Sequence, residues 1–137
     1  MPATEKAIEL ARAAAAAAVD VNAEEIIAID VADRLALTDV FLIASGSSER
    51  QVRGIADRIE HTLRKEHRMK LKRREGYQDL RWVLLDFDEI VVHVQHAEDR
   101  EFYDLERLWK DCPFIDLPGV PAPEKGSDES SDSEGDL

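Results

Sequence analysis

Only one of the 137 residues is a cysteine, and only 6% are aromatic. The single thiol, Cys112, excludes an internal disulfide and any zinc site built from several cysteines. The sequence also lacks an apolar run bulky enough to cross a membrane, and it lacks the charged start and apolar stretch of an export signal. We therefore expect a cytoplasmic protein with no membrane segment, in which Cys112 is a small, partly buried residue before Pro113.

Apolar residues are plentiful, at 44% of the chain, which suffices for one globular domain with a hydrophobic core. Acids exceed bases, and the formal net charge of −12 taken alone argues against a nucleic-acid partner. The last 17 residues, PAPEKGSDESSDSEGDL, contain six acids and one lysine, with almost nothing apolar to bury. We predict one domain over residues 1–119 and a disordered acidic tail over residues 120–137.

Positive charge gathers in one place, the stretch from residue 58 to residue 74. It contains eight basic residues: Arg58, Arg64, Lys65, Arg68, Lys70, Lys72, Arg73 and Arg74. Two interpretations stay open. The bases are a solvated helix end whose cations complement the helix dipole, or they form a patch that steers the protein toward an anionic partner such as ribosomal RNA.

Hydrophobic periodicity predicts the order helix, two strands, helix, three strands, helix. The first helix is capped by Thr4, and the last is capped by Asp99 and carries Phe102, Leu105, Leu108 and Trp109 on one face. This order is typical of a mixed α/β (α+β) domain with a single five-stranded sheet covered by helices. The predicted helices are 4–19, 49–66 and 100–111, and the predicted strands are 26–31, 40–45, 69–75, 81–87 and 90–95.

The stretch Ser45-Gly46-Ser47-Ser48 between a strand and a helix invites an enzymatic interpretation, because helix N-termini bind phosphates. With Asp86-Phe87-Asp88 as a Mg²⁺ ligand pair, it would make a metal-dependent nucleotidyltransferase. The spacing is wrong for that motif, because Gly46 and Asp86 are about forty residues apart. A capping box explains the turn more simply: the Ser48 hydroxyl accepts from the Gln51 N–H, and the Gln51 side chain returns to the Ser48 N–H.

No catalytic, cofactor-binding or metal-binding residue is predicted. His93 lies in a strand, where a lone histidine is more often a hydrogen-bonded packing residue than a general base. None of the serines near residue 46 sits in a Gly-x-Ser-x-Gly elbow, so no hydrolytic triad can be named. We expect a protein that is not an enzyme and has no cofactor.

Four separated segments resemble the ribosomal silencing factor family, also called RsfS or Iojap-related proteins. They are TDVFLIASGSSERQVRGIAD from Thr38, the pair Glu75-Gly76, WVLLDFDEIVVHV from Trp82, and REFYDLERLW from Arg100. The resemblance implies a homodimeric domain shaped like a nucleotidyltransferase but without the catalytic site. It also implies binding to the large ribosomal subunit at its protein number fourteen, which blocks joining of the small subunit during nutrient limitation. Asp88-Glu89 departs from the Gly-Asp usual at the hairpin tip, and Gln95 departs from an apolar position.

Strand periodicity places Trp82, Leu84 and Asp86 on one face, and a tryptophan beside basic Arg81 is typical of an interface anchor. Trp82 could equally be a core residue, and only the family resemblance favours a binding role. Arg100 and Tyr103, one helical turn apart, could extend this surface or could fix their helix to the sheet. Trp109 is assigned to packing or to the dimer contact. The predicted partner-binding residues are Trp82, Leu84, Asp86, Glu75, Gly76, Arg100 and Tyr103.

Overall fold

A computed structural model describes residues 1–121, except for the side chains of Phe102 and Tyr103. All but the first two residues of the predicted acidic tail therefore lie outside the described residues. The helices are α1 (Glu5–Asp20), α2 (Glu49–His67), α3 (Ala97–Tyr103) and α4 (Leu105–Leu108). The strands are β1 (Glu24–Asp30), β2 (Val40–Gly46), β3 (Arg73–Glu75), β4 (Trp82–Asp86), β5 (Ile90–His96) and β6 (Phe114–Ile115).

One mixed sheet contains all these strands, in the order β3-β4-β5-β2-β1-β6. The central pair β2 and β5 is parallel, and the other neighbours are antiparallel. The predicted fold class is confirmed, but the sheet has six strands and not five. The additional strand pairs Phe114 with Ile29 and Ile115 with Ala28. Two residues after a proline are too few to show a periodic pattern.

Helices α1 and α2 cover one face of the sheet, here called the helix face. Thr4 caps α1 as predicted, because its hydroxyl accepts from the Ala7 N–H at 3.1 Å. Alanines allow α1 to approach the strands closely, while longer apolar residues of α2 fill the remaining space. The buried residues of the two helices are Ala7, Leu10, Ala11, Ala14, Ala15, Ala17, Ala18, Val52, Ile55, Ala56, Ile59 and Leu63.

The opposite face, here called the open face, carries a second and smaller apolar cluster that includes Ile29, Phe41 and Ile43. Helix α3 packs on β5 and β2 and so covers only part of this face. Leu105 and Cys112 are buried in the second cluster. For Cys112 this agrees with the prediction of a small residue that is at least partly buried. The predicted shared face of Leu105 and Leu108 is wrong, since Leu105 is buried and the side chain of Leu108 is 68% exposed.

The reason is that the last helix is broken in two. Asp104 takes a left-handed conformation with φ 49°, and the chain restarts as α4 in a new direction, so one helical period does not extend across it. The predicted cap is also wrong. His96 caps α3, accepting from the Glu98 N–H at 3.2 Å, whereas Asp99 accepts hydrogen bonds from Arg81.

Candidate functional site

The open face brings four of the predicted partner-binding residues together. Trp82, Leu84 and Asp86 alternate along β4 with Val83 and Leu85, which are buried on the helix face. Antiparallel pairing places Glu75 of the edge strand β3 directly opposite Leu84, and paired residues point to the same side of a sheet. The predicted division of the β4 side chains between two faces is therefore confirmed.

Gly76 follows β3 and shapes the turn that leads to Trp82. Its φ is +92°, a left-handed conformation that glycine adopts at little cost. A Cβ atom here would lie 2.1 Å from the Trp82 carbonyl oxygen, which is a collision with backbone. Gly76 therefore lets the chain pass against the start of β4 and sets the position of Trp82.

The indole of Trp82 is held by a hydrogen bond. Its Nε1–H donates to Nδ1 of His93 at 3.1 Å, and the edge of the Phe41 ring packs on the imidazole with centroids 4.7 Å apart. Burial lowers the pKa of His93 to about 4, so the ring is neutral at physiological pH and Nδ1 can accept. His93 is thus a hydrogen-bonded packing residue, as predicted, and it also orients the proposed anchor.

The sequence gives no direct signal for this second role of His93. In the β4–β5 pairing, His93 stands opposite Leu84 and only diagonally from Trp82. Diagonal neighbours on one face of an antiparallel pair are within reach of aromatic side chains. A hairpin register fixed by the turn at residues 87–89 would have revealed the contact.

Buried polar atoms without partners lie beside this pair. Within residues 1–121, no hydrogen bond is made by Nε2 of His93 or by the side-chain amide of Gln95, which is fully buried. Gln95 occupies the position that departs from the family resemblance. Such groups cost free energy when they are buried unpaired, so this part of the open face is not optimised as a sealed core.

At the other end of β4, Asp86 belongs to the hairpin turn. Its Oδ1 accepts from the backbone N–H of Asp88 at 2.8 Å, and Asp88 takes a positive φ of 72°, which aspartate tolerates better than most residues. Asp88 pairs with Lys72 at 3.0 Å, and Glu89 lies 3.6 Å from Lys6. These exposed ion pairs tie the hairpin tip to the segment before β3 and to α1.

Arg100 is placed differently from the residues on β4. It is only 2% exposed, and its guanidinium donates to the Ser45 hydroxyl at 2.6 Å and to Glu106 at 2.9 and 3.1 Å. Of the two roles left open by the sequence, this geometry is that of a residue that fixes α3 to the sheet. The side chain of Tyr103 lies outside the described part of the chain.

The parts of the alternative enzyme site are not brought together. Gly46 stands beside His96 in the parallel pair and Asp86 stands beside Val91, so the two lie five residues apart along β5, about 16 Å. No group of three or more His, Cys, Asp or Glu suited to a metal ion occurs among residues 1–121.

Side chains and close packing account for the turn after β2. Ser48 caps α2 by accepting from the Gln51 N–H at 3.1 Å, as predicted. The return bond is different, because Oε1 of Gln51 accepts from the N–H and hydroxyl of Ser47 rather than from Ser48. Gly46 is explained by packing, since a Cβ atom would lie 2.9 Å from the Val52 nitrogen.

Comparison with known proteins identifies the family. Residues 4–136 match the sequence profile of the family described as RsfS, "Ribosomal silencing factor during starvation". The chain belongs to the ribosomal silencing factor family. The ribosomal silencing factor RsfS of Bacillus subtilis is 43% identical over 104 residues, which are 76% of this chain and 87% of that protein. The family is named for a regulatory role rather than a catalytic one.

Two further similarities extend this assignment of the RsfS family. The solved structure of a protein from Bacillus halodurans has 37% sequence identity and a TM-score of 0.69, covering 83% of this chain and all of that one. The mouse protein named "Mitochondrial assembly of ribosomal large subunit protein 1" is 33% identical over 101 residues, 69% of this chain and 42% of that protein.

No helix within residues 1–121 is long and apolar enough to span a membrane.

Proposed function

We propose that this RsfS-family protein binds the large ribosomal subunit through its open face, at ribosomal protein number fourteen on the intersubunit side. Occupying that position excludes the small subunit and keeps translation silent during nutrient limitation. The observation that carries the proposal is the Trp82–Leu84 strip at the β3–β4 side of the open face. Both side chains are partly exposed and sit at the margin of an apolar cluster.

The chemistry of this strip is that of a protein interface. An aromatic anchor and an aliphatic neighbour form the apolar centre, and Glu75 and Asp86 provide a polar rim on the same face. The Trp82 ring is already fixed by His93, so little side-chain entropy is lost when a partner covers it. Two further residues support the surface. Gly76 fixes the turn beside Trp82, and Arg100 fixes α3 to the sheet.

Steric exclusion requires no reacting group, so the protein is proposed to act without a cofactor. Its proposed location is the cytoplasm. We further propose that two copies of the chain form a homodimer, whose contact buries apolar side chains that one chain leaves exposed. Apart from Met1, the large apolar side chains most exposed within residues 1–121 are Leu37 at 78%, Leu108 at 68% and Phe114 at 56%. Sedimentation equilibrium measures the mass in solution, which should be twice the chain mass of 15.5 kDa if the homodimer forms.

Co-sedimentation with purified ribosomal subunits tests the function. The protein should pellet with large subunits, should not pellet with small subunits, and should lower the yield of whole ribosomes when both are mixed. Trp82→Ala should weaken binding about 30-fold, equivalent to about 2 kcal/mol. Arg50→Ala removes an exposed side chain of α2, on the other face of the sheet from the strip, and should bind as the parent chain does. Unchanged subunit joining at saturating protein would refute the proposal.

A further inference from the structure

A groove lies where α2 ends and the chain turns back toward β3. It has a volume of about 520 Å³, and we call it the basic groove. Met69 and Leu71 are partly buried against the core of the helix face and supply apolar surface in it. The groove's basic lining residues, all exposed, are Arg64, Lys65, Arg68 and Lys70.

The charge around the basic groove is opposite to that of the whole protein. Residues 64–74 contain seven Lys or Arg and one acid, a net charge of +6, whereas the rest of the chain carries −18. The dipole of α2 accounts for cations in its last turn, such as Arg64 and Lys65. It does not account for Arg68 and Lys70, which lie beyond the end of the helix.

Ion pairing divides the basic residues into two groups. Those outside the groove are matched by acids: Arg58 by Asp20, Lys72 by Asp88, Arg73 by Glu75, and Arg74 by Glu60. Inside the groove Arg64 also reaches Glu60, at 3.5 Å. Lys65, Arg68 and Lys70 have no carboxylate within ion-pair distance among residues 1–121. The groove therefore presents three uncompensated cations.

The backbone at Arg68 adds a second argument. Arg68 ends α2 with φ 55° and ψ 33°, the left-handed conformation in which helices most often place glycine. A residue with a Cβ atom pays a conformational cost there. Arg68 nevertheless occupies this position and lines the groove, and strained backbone of this kind is often found at functional sites.

We propose that the basic groove is a second contact site, separate from the open face, that takes the phosphate backbone of RNA. Three unpaired cations around an apolar floor suit consecutive phosphates flanked by ribose. The chain runs from the groove directly to the sheet edge beside Asp86, because the N–H of Lys72, the residue after Leu71, donates to the Asp86 carbonyl at 2.8 Å. A protein bound at Trp82 and RNA bound in the groove would therefore reach this edge from opposite faces of the sheet. The inference rests on the proposed function only in taking the ribosome as the source of the RNA.

The test compares two matched double variants of the full chain. Lys65→Gln with Lys70→Gln removes two groove cations, and Arg50→Gln with Lys110→Gln removes two exposed cations elsewhere. Binding to large subunits is measured over a series of KCl concentrations at constant Mg²⁺. The slope of log Kd against log salt should fall by about 2 in the groove variant and stay unchanged in the control. Equal slopes in all three proteins would overturn the inference.

A labelled 20-base-pair RNA duplex at low salt separates this site from the proposed function. The groove variant should bind the duplex about tenfold more weakly or worse, whereas the control and Trp82→Ala should bind it as the parent chain does. If the chain fails to pellet with large subunits but the duplex result holds, the proposed function falls and the groove stands. Displacement of the duplex by a peptide of residues 122–137 as effectively as by unlabelled RNA would assign the groove to the chain's own acidic segment.

Arg68→Gly distinguishes loss of the site from loss of the fold. Glycine fits the left-handed end of α2 better than arginine, so the thermal midpoint should be equal to or higher than that of the parent. The salt slope should nevertheless fall by about 1 because one phosphate contact is removed. A stable Arg68→Gly protein with an unchanged slope would show that Arg68 takes no part in binding RNA.

Discussion

His93 controls both the orientation of Trp82 and a pH response. Its pKa is lowered by burial to about 4, so the folded chain leaves it neutral while the unfolded chain protonates it below about pH 6.5. The unfolded state then binds more protons between these values, and the free energy of unfolding falls as the pH drops through that window. The buried histidine should account for a loss of up to about 3 kcal/mol between pH 7 and pH 4.

His93→Gln provides the comparison, because an amide oxygen can still accept from the Trp82 N–H but does not titrate. Urea unfolding at several pH values should show a shallower acid loss for the variant than for the parent chain. The difference between the two curves isolates His93 from the many carboxylates, which both proteins share. Parallel curves would mean that His93 keeps its ordinary pKa in the folded protein.

Gly76 offers a second prediction for a single residue. Gly76→Ala should lower the free energy of unfolding by at least about 2 kcal/mol, since it combines a positive φ with a collision against the Trp82 carbonyl. Gly119→Ala is the control: its φ of +82° is similar, but nothing lies within 4 Å of the added carbon. That change should cost about 1 kcal/mol. Denaturant unfolding measures both, and equal losses would contradict the collision.

Among the structural elements, those with long periodic patterns are predictable and those fixed by tertiary contacts are not. Helix α2 is expected from residue 49 to 66 and runs over Glu49–His67, because its apolar residues repeat at helical spacing. β6 has only two residues and exists because β1 offers an unpaired edge. The break at Asp104 likewise has no local signal in the sequence. It goes with a tertiary contact, in which Arg100 binds both Glu106 and Ser45.

Arg100 is the residue on which the docking of α3 and α4 depends. Arg100→Ala removes its bonds to Ser45 and Glu106 and should lower the free energy of unfolding by about 3 kcal/mol, as expected when one partner of a buried ion pair is lost. Hydrogen exchange should rise over residues 97–109 in particular. Arg107→Ala, an exposed change in the same segment, should alter stability by less than about 0.5 kcal/mol. Exchange that rises equally in both variants would contradict the anchoring role.

For the whole molecule, the sequence predicts which side chains of β4 share a face but not which residues of other elements lie beside them. Period two is enough to place Trp82, Leu84 and Asp86 on one face, because a strand alternates whatever packs on it. The position of Glu75 beside Leu84 depends on strand register, and the inward turn of Arg100 depends on a helix that crosses the sheet. Distance in the fold also decides against the enzyme alternative, since Gly46 and Asp86 stand beside different ends of β5.

The extent of the folded domain leads to a last prediction about the whole chain. Within residues 1–121, Val120 is the last residue of either apolar cluster. We predict that a chain ending at Pro121 unfolds with the same free energy as the full chain, within about 0.5 kcal/mol. Its net charge changes from −12 to −7, because the removed residues contain six acids and one lysine. Added salt should therefore narrow any difference between the two proteins that arises from charge.

A chain ending at Cys112 is the matched comparison, because it also loses β6. It loses the bond from the Asp30 N–H to the Pro113 carbonyl, at 2.8 Å, and the packing of Ile115 and Leu117 on the core. At about 1 kcal/mol for each hydrogen bond and partly buried side chain, the loss should reach about 3 kcal/mol. Urea unfolding of the two shortened chains measures the difference. Equal stability would show that β6 contributes nothing, whereas a large loss on ending at Pro121 would place part of the fold beyond that residue.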